Sequence, residues 1–275
     1  MENGKMIYYP IYHPIGEPGS ERSDYVREWV ERFMKPAGEV TDNIDEANAI
    51  LAAVGDGGLM RYAHTFREKR LPIFGINCGR KGFLLNTVSN ISEIPKRFED
   101  VSWINLRLLK CTFNFKDETK APLTLMAFND IVIGKDIADF VDEFIITGSL
   151  KHFPNRSGIN GTGMIVSTAQ GTSAYAIKVK GSSVLLPLDS NTWLVCGFGT
   201  GPYPCDQVEP QKITIEIKSR HIINGYADGK SQAIAEDINS AIIEPTDYEV
   251  ILGYLKGVDF RAVRTSKAQE VERGK

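Results

Sequence analysis

The sequence predicts an α/β N-terminal domain, in which helices flank a parallel sheet, followed by a β-rich C-terminal domain. Residues 1–100 alternate between short β-rich runs and stretches with the apolar spacing of helices. Residues 101–254 form mostly alternating or β-branched runs separated by turn residues, which is typical of antiparallel sheets. An apolar run over 49–54 ends in a cluster of glycines, as expected where a buried strand turns into a helix.

The N-terminal domain is predicted to alternate between strands and helices. In chain order these are a strand over 6–12, a helix over 23–34 with Ser23 as its N-cap, a strand over 49–54, a helix over 59–69, a strand over 71–76 and a short helix over 92–99. Such alternation favours ligand binding at the carboxyl ends of the strands. We expect residues 255–275 to pack back on this domain, with the polar end from Thr265 frayed.

The C-terminal domain is predicted to be mainly antiparallel sheet. Its β-rich runs cover 101–116, 121–135, 140–150, 163–169, 191–199, 212–218, 241–245 and 248–255. A polar, glycine-rich loop over 151–163 interrupts them, and loops of that size in compact domains are often functional.

Composition and charge exclude several classes of protein. The chain has 275 residues, of which 42% are hydrophobic and 24% charged, and its net charge of −3 gives no overall attraction for nucleic acid or anionic membranes. No apolar run approaches the roughly 20 residues of a membrane-spanning helix, and the N-terminus lacks the pattern of a signal peptide. Cys78, Cys111, Cys196 and Cys205 show no CxxC spacing, so we expect reduced thiols in a cytoplasmic protein rather than a zinc site or disulfides.

The glycine turn around Asp56 is the strongest candidate for a site. Gly55, Gly57 and Gly58 allow a ligand to lie against bare main chain, and the N–H groups of a helix start attract phosphate. A carboxylate inside such a turn repels phosphate, so it needs a role that outweighs the repulsion. Asp56 is suited to hold a divalent cation or to accept a proton from an attacking hydroxyl. A simple helix cap is the alternative interpretation.

Two further stretches place polar or aromatic residues near strand ends. Residues 75–84, GINCGRKGFL, follow a predicted strand and put Phe83 either in the core or against the flat ring of a ligand. Asn129 and Asp130 open an apolar run and are suited to grip both hydroxyls of a ribose, although an Asx turn is the commoner explanation of such a pair.

Two more stretches are rich in turn residues. Residues 161–183 carry a small, hydroxyl-rich turn before a predicted helix, which suits either phosphate or ribose binding or a plain Ser/Thr cap. Residues 225–231, GYADGKS, are interpreted as a hairpin turn on their own pattern.

Five of these motifs occur in the order and spacing of one known family. They are VGDGG at 54–58, GINCGRKGFL at 75–84, FNDIVI at 128–133, MIVSTAQGTSAY at 164–175 and ADG at 227–229. In that order the series resembles the GGDGT, GIN-x-G-x-x-GFL, Asn–acidic, IVSTPTGSTAY and DG motifs of the NAD kinase family. The resemblance covers most of the chain, and five motifs in order rarely arise by chance.

The resemblance implies transfer of the γ-phosphate of ATP, with a divalent metal such as Mg²⁺, to the 2′-hydroxyl of the adenosine ribose of NAD, giving NADP. It also implies a site between the two domains and a homodimer or homotetramer. Carried over by motif, Asp56 would orient and deprotonate the hydroxyl, and Gly55, Gly57 and Gly58 would lie against phosphate. The acceptor and nucleotide positions implied in the same way are Phe83, Asn129, Asp130, Thr162, Thr172, Ser173, Ala174, Tyr175 and Lys178.

Several residues depart from the family's pattern. Val54 stands for the first glycine of GGDGT and Gly58 for its threonine, whose hydroxyl is lost. Asp130 is one methylene shorter than the usual glutamate. Thr162 replaces a common acidic residue and Lys178 a common serine, and this gain of positive charge favours an acceptor with more negative charge or a different shape.

NAD is the predicted acceptor. One alternative is a relative that phosphorylates a different hydroxyl, of another nucleotide or a polyol. A second alternative, from another class, is a nucleotide-binding protein without turnover, which the altered glycine turn motivates.

Overall fold

The chain divides into two compact units, which are residues 1–106 with 249–275 and residues 107–248. The structure is a computed structural model. It describes residues 4–14, 20–88, 90–135, 142–151, 153, 157–178, 185–199, 205–229 and 233–272.

The first unit is an α/β unit built on parallel strands. Its elements are β1 (Tyr8–Tyr12), α1 (Ser20–Trp29, continued by a π-helical turn at Val30–Met34), β2 (Ala49–Val54), α2 (Asp56–Thr65), β3 (Ile73–Asn77), α3 (Phe260–Glu272) and 3₁₀ turns at Arg67–Lys69, Ile91–Glu93 and Phe98–Asp100. β1 pairs in parallel with β2 and β2 with β3, while Leu252 and Gly253 pair in parallel with β3. These pairings confirm the predicted α/β class and its parallel strands.

The second unit consists mainly of antiparallel sheet. Its elements are the 107–115 part of β4 (Val101–Phe115), β5 (Leu123–Ala127), β6 (Asp130–Gly134), β7 (Asp142–Thr147), β8 (Ser157–Gly161), β9 (Gly163–Ser167), β10 (Trp193–Phe198), β11 (Cys205–Val208), β12 (Ile213–Lys218), β13 (Asn224–Ala227), the 238–248 part of β14 (Ile238–Leu255), and 3₁₀ turns at Gln170–Ser173 and Tyr175–Lys178. One sheet has the order β11-β10-β9-β6-β13. A second set pairs β14 with β12, β12 with β7 and β7 with β8, and β4 pairs with β5. The β-rich class is therefore confirmed.

Ser23 is not the N-cap of α1, so that prediction is wrong. The helix begins three residues earlier, at Ser20, and Ser23 is fully buried within it. Its hydroxyl donates to the carbonyl of Ala53 (2.9 Å) and accepts the N–H of His13 (2.8 Å). The hydroxyl therefore ties α1 to the end of β2, and this contact is not local in sequence.

Other boundaries differ from the sequence pattern. The predicted helix over 92–99 is replaced by two 3₁₀ turns. The predicted loop over 151–163 contains β8, which pairs with β7, while residues 152 and 154–156 of that loop lie outside the described residues. The helix predicted after Tyr175 begins as a 3₁₀ turn, and residues 179–183 of that stretch also lie outside the described residues.

The expected fraying from Thr265 is wrong for most of the tail, because residues 260–272 form α3. Its anchors are Arg264, which is 2% exposed, and Ala268, which is 8% exposed. The ring of Phe260 packs on the ring of Tyr254 with 3.9 Å between centroids.

The prediction that every cysteine is a reduced thiol is also wrong. Cys196 and Cys205 lie opposite each other on antiparallel β10 and β11, with their Cα atoms 4.3 Å apart, and they form a disulfide. This Cα separation is close to the range that a disulfide bridges, whereas sequence spacing alone gave no sign of it. Cys78 and Cys111 are buried free thiols, in agreement with the prediction.

Candidate functional site

The glycine-rich stretch at residues 55–58 leads from β2 into α2, and residues 56–58 form the first turn of that helix. Gly55 is the N-cap residue, with φ −93° and ψ 174°, and it makes no side-chain cap. The helix starts at Asp56, and the N–H of Leu59 donates to the carbonyl of Gly55 (2.9 Å). The N–H groups of residues 56–58 precede this bond, and such first-turn N–H groups have no acceptor within a helix. They form the arrangement that binds anions at helix N-termini.

Val54 and Gly58, the two departures in this turn, fit each other sterically. A Cβ added at Gly58 would lie 2.9 Å from the Cβ of Val54. Val54 is fully buried at the end of β2, so it has no free space into which to move. The valine side chain at position 54 therefore occupies the space that a side chain at position 58 would need, and glycine at position 58 compensates for it.

The two glycine motifs of the first unit contact each other directly. A Cβ added at Gly79 would lie 3.0 Å from the Cα of Gly55, and one at Gly55 would lie 3.3 Å from the Cα of Gly79. Gly55 and Gly79 are thus required for the packing of the two turns against each other. The glycines of both motifs are also available for a ligand.

The carboxylate of Asp56 is bound to the second glycine motif. Its Oδ2 accepts the N–H of Phe83 (2.7 Å) and its Oδ1 accepts the N–H of Leu84 (3.1 Å). Phe83 itself is 7% exposed, so most of its side chain lies inside the first unit. The structure brings together Asp56, Phe83 and the turn glycines, and it fixes the direction of the carboxylate through two main-chain donors.

Opposing effects act on the pKa of Asp56. Burial raises it above its ordinary value, while the N–H groups of Phe83 and Leu84 and then the charges of Lys267 and Arg264 lower it. Burial is the largest effect, so the pKa is raised overall. A raised carboxyl pKa makes a stronger base, which suits a group that takes a proton from an alcohol.

Two cations beside Asp56 were not predicted from the sequence. Arg264 and Lys267 both lie on α3, and Lys267 belongs to the end from Thr265 that was expected to fray. The ammonium group of Lys267 donates to the carbonyl of Gly82, next to the segment that binds Asp56. Their spacing of three residues on one helix face is the only local signal of this arrangement.

In the second unit, Asn129 and Asp130 form a buried site together with Asp228. The carboxylate of Asp228 accepts the N–H groups of Phe128 (3.0 Å) and Asn129 (2.6 Å). Asp228 adopts φ 55°, which lies in the left-handed region that few non-glycine residues adopt. The late DG motif, interpreted as a plain hairpin turn, therefore holds the Asn–Asp pair in place.

Burial and then the charge of Asp228 raise the pKa of Asp130 from 3.8 to about 7, against the lowering effect of the nearby backbone of Gly229 and Tyr175. Asp130 is fully buried. It therefore changes its charge near neutral pH, unlike an ordinary aspartate.

We predict that Asp130→Asn reduces the pH dependence of stability. The folded chain keeps this proton up to about pH 7, whereas the unfolded chain releases it near the ordinary value of 3.8, so the free energy of unfolding falls as the pH rises between these values. Asparagine cannot ionise and removes that fall. Thermal unfolding at pH 5 and pH 8 measures it, with the exposed Asp189→Asn as control; an unchanged difference between the two pH values would contradict the prediction.

The hydroxyl-rich turn packs tightly against this pair. A Cβ added at Gly171 would lie 2.0 Å from the carbonyl oxygen of Asn129, so only glycine fits there. The hydroxyl of Thr172 donates to the carbonyl of Ala169 (2.7 Å), and that of Ser173 donates to the carbonyl of Gln170 (3.0 Å). Both hydroxyls therefore have internal partners, which supports the interpretation of this turn as a self-capped structure.

The remaining predicted positions are less closely grouped. Ala174 is half-buried and Tyr175 is 39% exposed at the same turn. Thr162 precedes β9 whereas the turn follows it, so the five residues of that strand separate them, about 17 Å at the usual rise. Thr162 donates to the carbonyl of Phe198 (3.0 Å). Lys178 ends the 3₁₀ turn that begins at Tyr175.

Among the described residues, no group of three or more His, Cys, Asp or Glu side chains is arranged to hold a metal ion. In the same part of the chain, no helix combines the length and apolar character needed to cross a membrane.

Solved structures define the class of fold. The yeast NADH kinase complexed with NADH matches with a TM-score of 0.73 and 13% identity, covering 96% of this chain and 87% of that one. An NAD kinase from Archaeoglobus fulgidus in complex with ATP matches with a TM-score of 0.68 and 18% identity, covering 96% and 99%. The chain thus has the fold of the NAD and NADH kinases.

Sequence comparisons agree with the fold. Residues 19–102 match the ATP-NAD kinase N-terminal domain. NAD kinase of Rickettsia felis is 30% identical over 159 residues, which span 56% of this chain and 59% of the relative. NAD kinase of Clostridium tetani is 26% identical over 223 residues, spanning 79% and 77%. The chain is therefore similar to NAD kinases in part of its sequence and in its fold.

Proposed function

We propose that this chain is an ATP-dependent NAD kinase, which phosphorylates the 2′-hydroxyl of the adenosine ribose of NAD and yields NADP. The observation that carries the proposal is the Asp56 carboxylate, held by the N–H groups of Phe83 and Leu84 at the start of α2. The names of its relatives support the acceptor, since sequence relatives are NAD kinases and one structural neighbour is an NADH kinase complexed with NADH.

In the proposed reaction, the ribose oxygen forms a bond to the γ-phosphorus of ATP, and the bond from that phosphorus to the β–γ bridging oxygen breaks. ADP leaves with the bridging oxygen, and the hydroxyl proton passes to Asp56. The main-chain N–H groups at residues 56–58 stabilise negative charge on the transferred group. Such transfers depend chiefly on alignment and on neutralisation of charge.

Magnesium enters this proposal as part of the donor, MgATP. Mg²⁺ is commonly held by substrate phosphates, water and few protein groups. Because the described residues contain no metal-binding cluster, we assign no ligand to the protein.

The acceptor ribose is assigned to Asn129 and Asp130. The amide of Asn129 offers both a donor and an acceptor, and the Asp130 carboxylate accepts, so together they match two neighbouring hydroxyls. Asp228 fixes the main chain of Asn129 for this purpose. The adenine assignment to residues 173–175 remains part of the same proposal.

Incubation with MgATP and NAD, with an NADP-specific dehydrogenase as reporter, tests the proposal directly. NADP formation is expected, and its absence with both NAD and NADH contradicts it. The second candidate function is phosphorylation of a different acceptor. Thr162 favours it, because this residue is buried and lacks the negative charge of the acidic residue that is common at its position in the family. ATP consumption with a polyol or another nucleotide alone indicates that candidate, whereas thermal stabilisation by nucleotide without turnover indicates a binding protein.

Assembly and location complete the proposal. We expect a homodimer or homotetramer in the cytoplasm, as the family resemblance implies. Light scattering at several protein concentrations measures the assembly, and a monomeric mass throughout contradicts it.

A further inference from the structure

The segment 82–84, which binds Asp56, is itself held by hydrogen bonds from the C-terminal part of the chain. The ammonium group of Lys267 donates to the carbonyl of Gly82, and the hydroxyl of Tyr254 donates to the carbonyl of Leu84 (3.2 Å). The N–H groups of Phe83 and Leu84 donate in turn to Asp56. Asp56 therefore takes its orientation from Phe83 and Leu84, in a segment whose Gly82 and Leu84 carbonyls are held by α3 and β14.

Arg264 adds a buried positive charge to this group. It is 2% exposed, and burial lowers its pKa to about 10, so it remains a cation at neutral pH. Electrostatic interactions with Tyr254 and then with Asp56 oppose that lowering. A buried guanidinium is costly unless nearby groups compensate for it, and a carboxylate is the compensation that this unit provides.

The charges of Lys267 and Asp56 each affect the pKa of the other group. Burial lowers the pKa of Lys267, and the charge of Asp56, followed by that of Glu270, opposes the change. Lys267 and Arg264 lower the pKa of Asp56 in return. The contact with Gly82 and the charge of Lys267 thus act on the same carboxylate, one through the main chain and the other directly.

We propose that Arg264 and Lys267 are positioning residues of the phosphotransfer site, which keep the carboxylate of Asp56 ionised and correctly oriented toward the acceptor hydroxyl. This inference rests on the proposed function, because it gives α3 a role in preparing the proposed base. Neither cation is assigned a contact with substrate.

Substitutions that remove a positive charge near Asp56 should all shift its pKa in the same direction. The groups around it are Tyr254 on β14 and Arg264, Lys267 and Glu270 on α3, while the 82–84 segment contributes only main chain. Removal of a positive charge favours the protonated carboxyl, so its titration moves to higher pH. Because the base must be ionised, the acidic limb of the kcat profile moves to higher pH as well.

The principal test compares Lys267→Met and Arg264→Gln with Arg261→Gln, which removes a positive charge from an exposed position of the same helix. A rise of one unit in the Asp56 pKa lowers kcat on the acidic limb about 10-fold. We expect this loss in the first two variants, with a smaller change in KM, and none in Arg261→Gln. Lys267→Arg should restore most of the activity, because it keeps the charge and a donor for Gly82.

A second measurement does not depend on activity. Carbon-13 NMR of the Asp56 carboxyl should show its titration at higher pH in Lys267→Met than in the unmodified chain, and the amides of Phe83 and Leu84 should exchange faster. Identical Asp56 titrations in the two proteins overturn the inference, even if Lys267→Met is less stable. If the unmodified chain phosphorylates no acceptor, the proposed function fails, and a shifted titration still supports the effect of α3 on Asp56.

Discussion

Replacement of Asp56 by asparagine is expected to lower kcat for NAD phosphorylation by about 10²–10⁴-fold, the usual contribution of a general base. Asparagine cannot take the proton of the attacking hydroxyl. The KM for ATP should change much less, because the main-chain N–H groups at residues 56–58 are retained. Initial rates of NADP formation with saturating ATP and NAD measure the effect, and Glu68→Gln provides a control in which an exposed carboxylate after α2 is neutralised.

The same substitution has a structural consequence that must be separated from the chemical one. The Asp56 carboxylate accepts two N–H groups, whereas asparagine has one carbonyl oxygen and presents an NH₂ group to the other donor. An unsatisfied buried donor costs about 1–3 kcal/mol, so the melting temperature should also fall. Rates are therefore compared below the unfolding transition, with the ATP-induced rise in melting temperature as proof of an intact donor site. A variant that binds ATP and turns over at the full rate rules out Asp56 as the base.

The sequence predicted those parts of the site whose determinants are local. The strand, the glycine turn and the helix after it lie within a short run and follow from residue type, although α2 begins at Asp56 and not at the predicted Leu59. The motif that supplies Phe83 was also found, but its contact with Asp56 spans 27 residues and has no sequence signature. A pattern can therefore place a catalytic candidate on an element without showing which group orients it.

Contacts between distant segments account for the wrong or missing predictions. The late DG turn was interpreted only as a hairpin turn, and its hydrogen bonds to Phe128 and Asn129 were missed because they cross about 100 residues. The disulfide depends on the register of β10 and β11, which spacing does not reveal. The polar end from Thr265 was expected to fray, but it belongs to α3, whose buried anchor Arg264 is of a residue type that is almost always exposed and so gave no sign of packing.

The altered glycine turn yields a prediction about stability that requires two substitutions. Gly58→Thr, which restores the residue usual in the family, is expected to destabilise the chain by about 1–3 kcal/mol, because its Cβ would crowd the buried side chain of Val54. In a Val54→Gly background the obstructing atoms are absent. The same Gly58→Thr change should then be neutral or slightly stabilising, since threonine is a better helix former than glycine.

Denaturant unfolding of the unmodified chain, both single variants and the double variant measures the coupling between the two positions. Val54→Gly alone should be destabilising, because it removes a fully buried side chain from β2. The double variant should be more stable than the sum of the single effects predicts, by about 1 kcal/mol or more. Strict additivity would show that Val54 and Gly58 changed independently. A favourable coupling would instead mean that the threonine hydroxyl was lost as a steric consequence of the valine, so the altered turn by itself is no argument against turnover.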